Sequence, residues 1–129
     1  MPASPALAIT SIAQIAINTH DLNRAREFYR DQLGLKFLFD AGPKMAFFDC
    51  GGVRIMLALP ETKELDHSSS IIYFNVADIK ASHAQLLARG VLFATDPHMI
   101  ARGGGREIWL AEFRDSEGNV LALMSEVAA

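Results

Sequence analysis

The stretch FRDSEGNVLALMSE, residues 113–126, decides the fold. It opens on a turn signal, Asp115-Ser116-Glu117-Gly118, and continues Val120-Leu121-Ala122-Leu123-Met124 without a polar residue. Successive side chains of a strand point to opposite faces of its sheet, so a half-exposed strand alternates apolar and polar residues. This strand is apolar on both faces, and each face therefore needs a cover. A helix can cover one. The other requires something more.

The stretch has a counterpart earlier in the chain. FFDCGGVRIMLA (47–58) aligns with FRDSEGNVLALM (113–124), matching Phe47 with Phe113, Asp49 with Asp115, Gly52 with Gly118 and Leu57 with Leu123. Upstream, IAINTHDLNRA (15–25) aligns with IYFNVADIKAS (72–82), matching Ile15 with Ile72, Asn18 with Asn75, Asp21 with Asp78 and Leu22 with Ile79. The order is the same in both halves, which marks an internal repeat. The 129 residues read as one domain of two similar modules, 8–60 and 69–127, joined by a polar linker, 61–68.

Each module reads alike. A first strand is followed by an Asp suited to cap a helix, Asp21 or Asp78. The helix after it is amphipathic, with Leu22, Ala25, Phe28, Tyr29 and Leu33 in one module and Ile79, His83, Leu86 and Leu87 in the other at three- and four-residue spacing. Gly34 and Gly90 stand where a helix ends in a left-handed residue. Three strands are predicted next, over 36–41, 44–49 and 53–59, and over 91–95, 106–114 and 119–125. The D-x-x-G signal predicts a three-residue hairpin loop with a bulge in both modules. The expected class is α+β, a βαβββ unit written twice.

Bulk properties exclude several classes of partner. The formal charge of −3 and a pI near 5.7 argue against nucleic acid. No apolar run approaches the roughly 18 residues of a membrane span. The start, MPASPALAITS, lacks the basic opening of a signal peptide, and its first seven or so residues read as a loose tail. Cys50 is the single cysteine, which leaves no intrachain disulfide and no cysteine zinc cluster. A cytosolic protein is expected.

The tandem βαβββ frame, the segment NTHDLNRAREFYRDQLGLKFL (18–38) and the hairpin FRDSEGNVLALMSE resemble the vicinal oxygen chelate superfamily. That group includes glyoxalase I, methylmalonyl-CoA epimerase, extradiol dioxygenases and fosfomycin- and bleomycin-resistance proteins. The resemblance covers nearly the whole chain. It implies sheets curled into a cup around a central pocket, and, in the family's enzymes, a divalent metal held by His, Glu or Gln from first and last strands. The first-strand position, seven residues before the capping Asp, falls on Gln14 and Ile71. The last-strand position, four residues after the hairpin Gly, falls on Met56 and Ala122. Of these only Gln14 offers an oxygen to a hard cation, whereas a catalytic site of this type needs about three protein ligands. The expectation is no cofactor, with a divalent metal disfavoured.

With those four positions taken as facing the cup, alternation along each strand assigns the rest. Ile12, Ala16 and Asn18 join from the first strand, Arg54 and Ala58 from the fourth, Tyr73 and Asn75 from the fifth, Val120 and Met124 from the last. Hairpin register adds Ala46 and Phe48, and Ile108, Leu110 and Glu112. The expected ligand pocket is Gln14, Asn18, Phe48, Arg54, Met56, Ile71, Tyr73, Asn75, Leu110, Glu112, Ala122 and Met124. An apolar cavity with a few polar groups suits a small organic molecule.

Several residues carry two readings. Glu112 is a candidate general base or cation-binding group, or else a solvated carboxylate at the cup mouth. Arg54 is a clamp for a carboxylate or phosphate, or a surface arginine beside the hairpin. Tyr73 and Asn75 are catalytic groups or ordinary strand residues. In the loop 96–107, His98, Arg102 and Arg106 form a lid over an anionic ligand, or solvated charges on a Gly-rich connection. Cys50 reads as a bystander thiol and His83 as a packed or rim histidine. Trp109 has outward parity, under a helix or against a partner subunit. The leading expectation is a metal-free member of the family that sequesters a small organic ligand, and the resemblance implies a homodimer. The alternatives are a lyase, isomerase or dioxygenase-like enzyme with a non-standard metal site or with Glu112 as base, and a vestigial module that regulates a partner.

Overall fold

The computed structural model describes residues 7–129; the loose tail expected at the start falls, up to residue 6, outside them. Two four-stranded mixed sheets follow one another along the chain. The first comprises β1 (Gln14–Asn18), β2 (Lys36–Ala41), β3 (Met45–Cys50) and β4 (Val53–Ala58), in the order β1-β4-β3-β2. The second comprises β5 (Ile72–Asn75), β6 (His98–Gly103), β7 (Arg106–Arg114) and β8 (Val120–Ala128), in the order β5-β8-β7-β6. In each, the first strand lies parallel to the last and the others are antiparallel. The class is α+β, two βαβββ units whose sheets remain open.

The helices form where capping and apolar spacing require. Asp21 accepts the backbone N–H of Arg24 at 3.0 Å and starts α1 (Leu22–Glu27); Asp78 accepts that of Ala81 at 3.1 Å and starts α2 (Ile79–Ala88). α1 continues into a wider turn, Phe28–Gln32, in which Leu33 N–H reaches Phe28 O at 3.0 Å, five residues back. Gly34 and Gly90 then adopt φ of +73° and +85°, which only glycine reaches without strain.

Both helices cover the same side of the sheets, so the modules share one core. Phe28 and Tyr29 of the first helix, Leu86 of the second, Ile17 and Phe48 of the first sheet and Phe113, Leu121 and Leu123 of the second belong to a single buried cluster. Leu121 and Leu123 thus face the helices. Trp109 also lies on the helix side, half-buried, with the Lys80 ammonium 5.2 Å from its ring centroid.

Two strand expectations change. Residues 91–95 form no strand and make only one isolated bridge, Phe93 to Phe113; the second strand of that module is β6, at 98–103. The reason lies in the glycines. Gly104 and Gly105 adopt φ of +58° and +73°, which makes a two-residue turn joining Gly103 to Arg106 and folds the supposed lid loop into a hairpin. The second change concerns the hairpin at Cys50. Gly51 and Gly52 both have positive φ, +58° and +90°, and Cys50 pairs directly with Val53. That loop has two residues, while the loop at Ser116-Glu117-Gly118 has three, closed by Asp115 N–H to Asn119 O at 3.0 Å. One residue fewer shifts β3 by one place. A one-residue shift turns every side chain to the other face.

Candidate functional site: the outer sheet faces and the linker cavity

Register determines which side chains share the face turned away from the helices. Gln14, Ala16 and Asn18 stand opposite Arg54, Met56 and Ala58, and these stand opposite Asp49, Phe47 and Met45. In the second sheet Tyr73 and Asn75 stand opposite Ala122 and Met124, which stand opposite Glu112 and Leu110. Ile71 immediately precedes β5 and is 49 % exposed, and Tyr73 is 50 % exposed. Ala122 is fully buried between the larger side chains of Tyr73 and Glu112.

Phe48 is not on this face. It pairs with Ile55, is fully buried, and packs edge-on against Phe37 and near Tyr29, at ring-centroid distances of 5.4 and 6.3 Å. Ala46 goes with it to the core. The two-residue turn at Gly51-Gly52 is the cause, and it puts Phe47 on the outer face instead. There Phe47 stacks on Phe39 at 4.8 Å, and the Arg54 guanidinium lies 5.1 Å from its centroid. The Gly-Gly pair was the available signal, since adjacent glycines mark two-residue hairpins.

The metal positions can be tested on their chemistry. The Gln14 carboxamide oxygen accepts from Arg54 Nε at 3.0 Å, and its amide nitrogen points to the Met56 sulfur at 3.5 Å. The one ligand-type oxygen at these positions is therefore already bonded to a cation. Met56, Ile71 and Ala122 bring no hard donor, so the four positions do not fit a divalent ion. Among the described residues, no three His, Cys, Asp or Glu side chains converge as a metal site.

Glu112 is half-buried, and its hydrogen bonds to the chain run through its backbone. Its N–H donates to Thr95 Oγ1 at 2.9 Å and its carbonyl accepts from Ala94 N–H at 2.7 Å. The carboxylate has no hydrogen-bond partner among the described residues. In β6 and β7 the cations are paired. Arg102 Nε donates to Glu107 at 3.0 Å, an interaction that holds the Glu107 carboxyl below its usual range, and Arg106 donates to the Glu126 carbonyl at 3.0 Å. His98 Nδ1 bonds the Asp96 carbonyl at 2.8 Å. Cys50 is half-buried, and burial, helped by the Asp49 charge, raises its thiol above the ordinary value, which disfavours the nucleophilic thiolate. His83 packs edge-on against Phe93 at 4.4 Å.

Two features went unread in the sequence. The first is an inter-module clasp. Glu117, on the hairpin of the second module, is 4 % exposed in its side chain and reaches the start of α1 in the first. It accepts from Thr19 Oγ1 at 2.8 Å, Asp21 N–H at 3.1 Å and Arg24 Nε at 2.7 Å. Beside it, Tyr29 OH donates to Asp115 at 2.7 Å; burial and then that carboxylate hold the phenol well above its ordinary range. The second is the linker, which is not a mere spacer. Leu59, Pro60, Glu61, Leu65, His67, Ser69 and Ser70 fold over Ala16, Asn18, Met45, Met56 and Ala58, enclosing a cavity of about 410 Å3 on the outer face of the first sheet. Asn18 ties the two together, with its N–H on Ser69 Oγ at 2.8 Å and its amide on Asp66 at 2.9 Å. No signal of composition or periodicity could place this roof, because it depends on contacts some 50 residues apart.

Comparison with known proteins agrees with this geometry. An uncharacterized protein of Bacillus subtilis (strain 168), YraH, is 28 % identical over 125 residues, covering 87 % of this chain and 95 % of its own. Two crystal structures share the fold: a glyoxalase/bleomycin resistance protein/dioxygenase superfamily member from Sphaerobacter thermophilus (TM-score 0.76, 24 % identity, 92 % of this chain and 99 % of that one), and a lactoylglutathione lyase from Agrobacterium tumefaciens (TM-score 0.71, 20 % identity, 91 % and 94 %). The family's own sequence profile matches residues 11–123. With two βαβββ units, helices on one side of the sheets and that match, this chain belongs to the Glyoxalase/Bleomycin resistance protein/Dioxygenase superfamily.

Proposed function

We propose that the chain is a metal-independent binding protein that takes a small, partly apolar organic molecule on the outer faces of its sheets. One observation carries the reading: the family's ligand positions are occupied by an arginine-bound Gln14 and by Met56, Ile71 and Ala122, on a surface otherwise suited to apolar contact. Burial of apolar ligand surface there contributes about 25 cal/mol per Å2. Ile71 and Tyr73, neighbours on one face of the second sheet, are 49 % and 50 % exposed, and such an apolar edge supports a homodimer whose second chain completes the cup.

Two measurements test this. Native mass spectrometry of protein purified without chelator reads metal content and subunit number together; the expected species is a metal-free dimer, and stoichiometric zinc, nickel, manganese or iron discards metal independence. The neutral dye N-phenyl-1-naphthylamine should bind saturably. Ala122→Trp fills the face at a buried position, and Ala16→Trp does so at an exposed one where folding is not at stake. Either should weaken dye binding at least about tenfold, the scale of losing 1.4 kcal/mol. Binding unchanged in both, with the thermal transition intact, places the site elsewhere.

A further inference from the structure

The cavity under the linker has a polarity that narrows its ligand. Its floor is apolar and deformable: Met45 and Met56 bring flexible thioethers, which adapt to ligand shape. Its roof adds Leu59, Pro60 and Leu65. Of the polar groups at its edge, Asn18 is spent on Ser69 and Asp66, Ser69 and Ser70 bring neutral hydroxyls that donate or accept, and the one charged side chain is Glu61. Glu61 offers a carboxylate, which only accepts hydrogen bonds. His67 offers an acceptor as well. Its Nδ1 lies 3.0 Å from the Ser68 carbonyl, which cannot donate, so Nδ1 is the donor of that pair and Nε2 is the acceptor of that tautomer.

Positive charge is missing from the lining. No Lys or Arg is among the described residues that form the cavity. Arg54, on the same sheet face, is held by Gln14 and lies over the Phe47 ring. Arg24, beyond Asn18, is bound to Glu117. The Asp66 carboxylate is likewise engaged, by Asn18 at 2.9 Å and His20 at 2.7 Å, and those bonds hold it below its usual range, as an anion. The site therefore presents an apolar slot with neutral hydroxyls at its mouth, one carboxylate at Glu61 and no lining cation among the described residues.

We propose that the linker cavity binds small apolar molecules that carry a protonated amine, with the apolar body on Met45 and Met56 and the ammonium at Glu61 and His67. The inference rests on the binding reading above and adds to it the location and the charge of the ligand. An ammonium donates to both acceptors and is attracted by the carboxylate; a carboxylate ligand of the same skeleton is repelled and finds no donor side chain of charge to meet it.

The test compares 4-phenylbutylamine with 4-phenylbutyrate, two probes of closely matched skeleton and opposite charge, titrated into the full chain with 13C-methyl-labelled methionine. The amine should shift the Met45 and Met56 methyl resonances and leave Met99 unmoved. It should bind at least about tenfold more tightly than the acid, a margin of 1.4 kcal/mol. Glu61→Gln, at an exposed position, should abolish the preference while leaving the methyl shifts at saturation. Equal affinity for the two probes, or preference for the acid, overturns the proposal. Shifts at Met124 without shifts at Met45 and Met56 also overturn it, while leaving the wider binding reading standing. No methyl shift with either probe, together with no binding of the neutral dye, overturns both.

Discussion

Phe48→Ala is expected to destabilise the chain by about 3–5 kcal/mol, the usual cost of removing a buried aromatic side chain. Phe48 is fully buried among Phe37, Tyr29 and Ile55 in the core that both modules share, so a cavity there has no solvent to fill it. Urea denaturation reads the loss as a lower midpoint at nearly unchanged slope. Phe47→Ala should cost less, because Phe47, though buried, packs on the outer face under Phe39 and Arg54 and lies outside the cluster that the two modules share. The pair of variants tests the register directly. Had the hairpin at Cys50 carried a three-residue loop like its counterpart, the order of the two effects would reverse.

Glu117→Gln is expected to remove about 3 kcal/mol at neutral pH, and to change how stability responds to acid. Burial alone would raise this carboxyl, but hydrogen bonds from Arg24, Thr19, Ser116 and the Asp21 backbone outweigh it and lower it from 4.5 to about 2. A shift of that size corresponds to about 3 kcal/mol of differential stabilisation. Because the folded value is the lower one, the contribution is present above pH 4.5 and is lost as pH falls from there to about 2. The wild-type chain should therefore lose stability steeply across that window, and Glu117→Gln should start lower and fall less. Thermal unfolding followed from pH 7 to pH 2 checks it. A variant that keeps both the wild-type midpoint and its acid slope discards the clasp as a stabilising contact between the modules.

Much of the fold was legible because it is locally encoded. The capping Asp21 and Asp78, the apolar spacing of α1 and α2 and the left-handed Gly34 and Gly90 act within a few residues of themselves. The doubly apolar strand at 120–124 required two covers. Leu121 and Leu123 are under the helices, while Val120, Ala122 and Met124 line the outer face. The candidate site was less legible. The alignment of Phe47 with Phe113 matched letters, yet Phe48 is the residue that stands where Phe113 stands, since Phe48 faces Ile55 as Phe113 faces Leu121. A glycine loop one residue shorter than its counterpart moved one aromatic into the core and another onto the outer face.

By itself, the sequence determined that the chain is two βαβββ units, and the resemblance then put Gln14, Met56, Ile71 and Ala122, of which only Gln14 carries a hard donor, at the family's ligand positions. Residue identity decides the units, through turn propensity and periodicity. Only the tertiary structure decided that Glu117 clasps α1 of the other module, that Arg54 occupies the Gln14 oxygen, and that residues 59–70 roof a cavity over Met45 and Met56. Each of those contacts joins residues tens of positions apart. Their energies depend on the distance between groups after folding, and no local pattern of residues reports that distance.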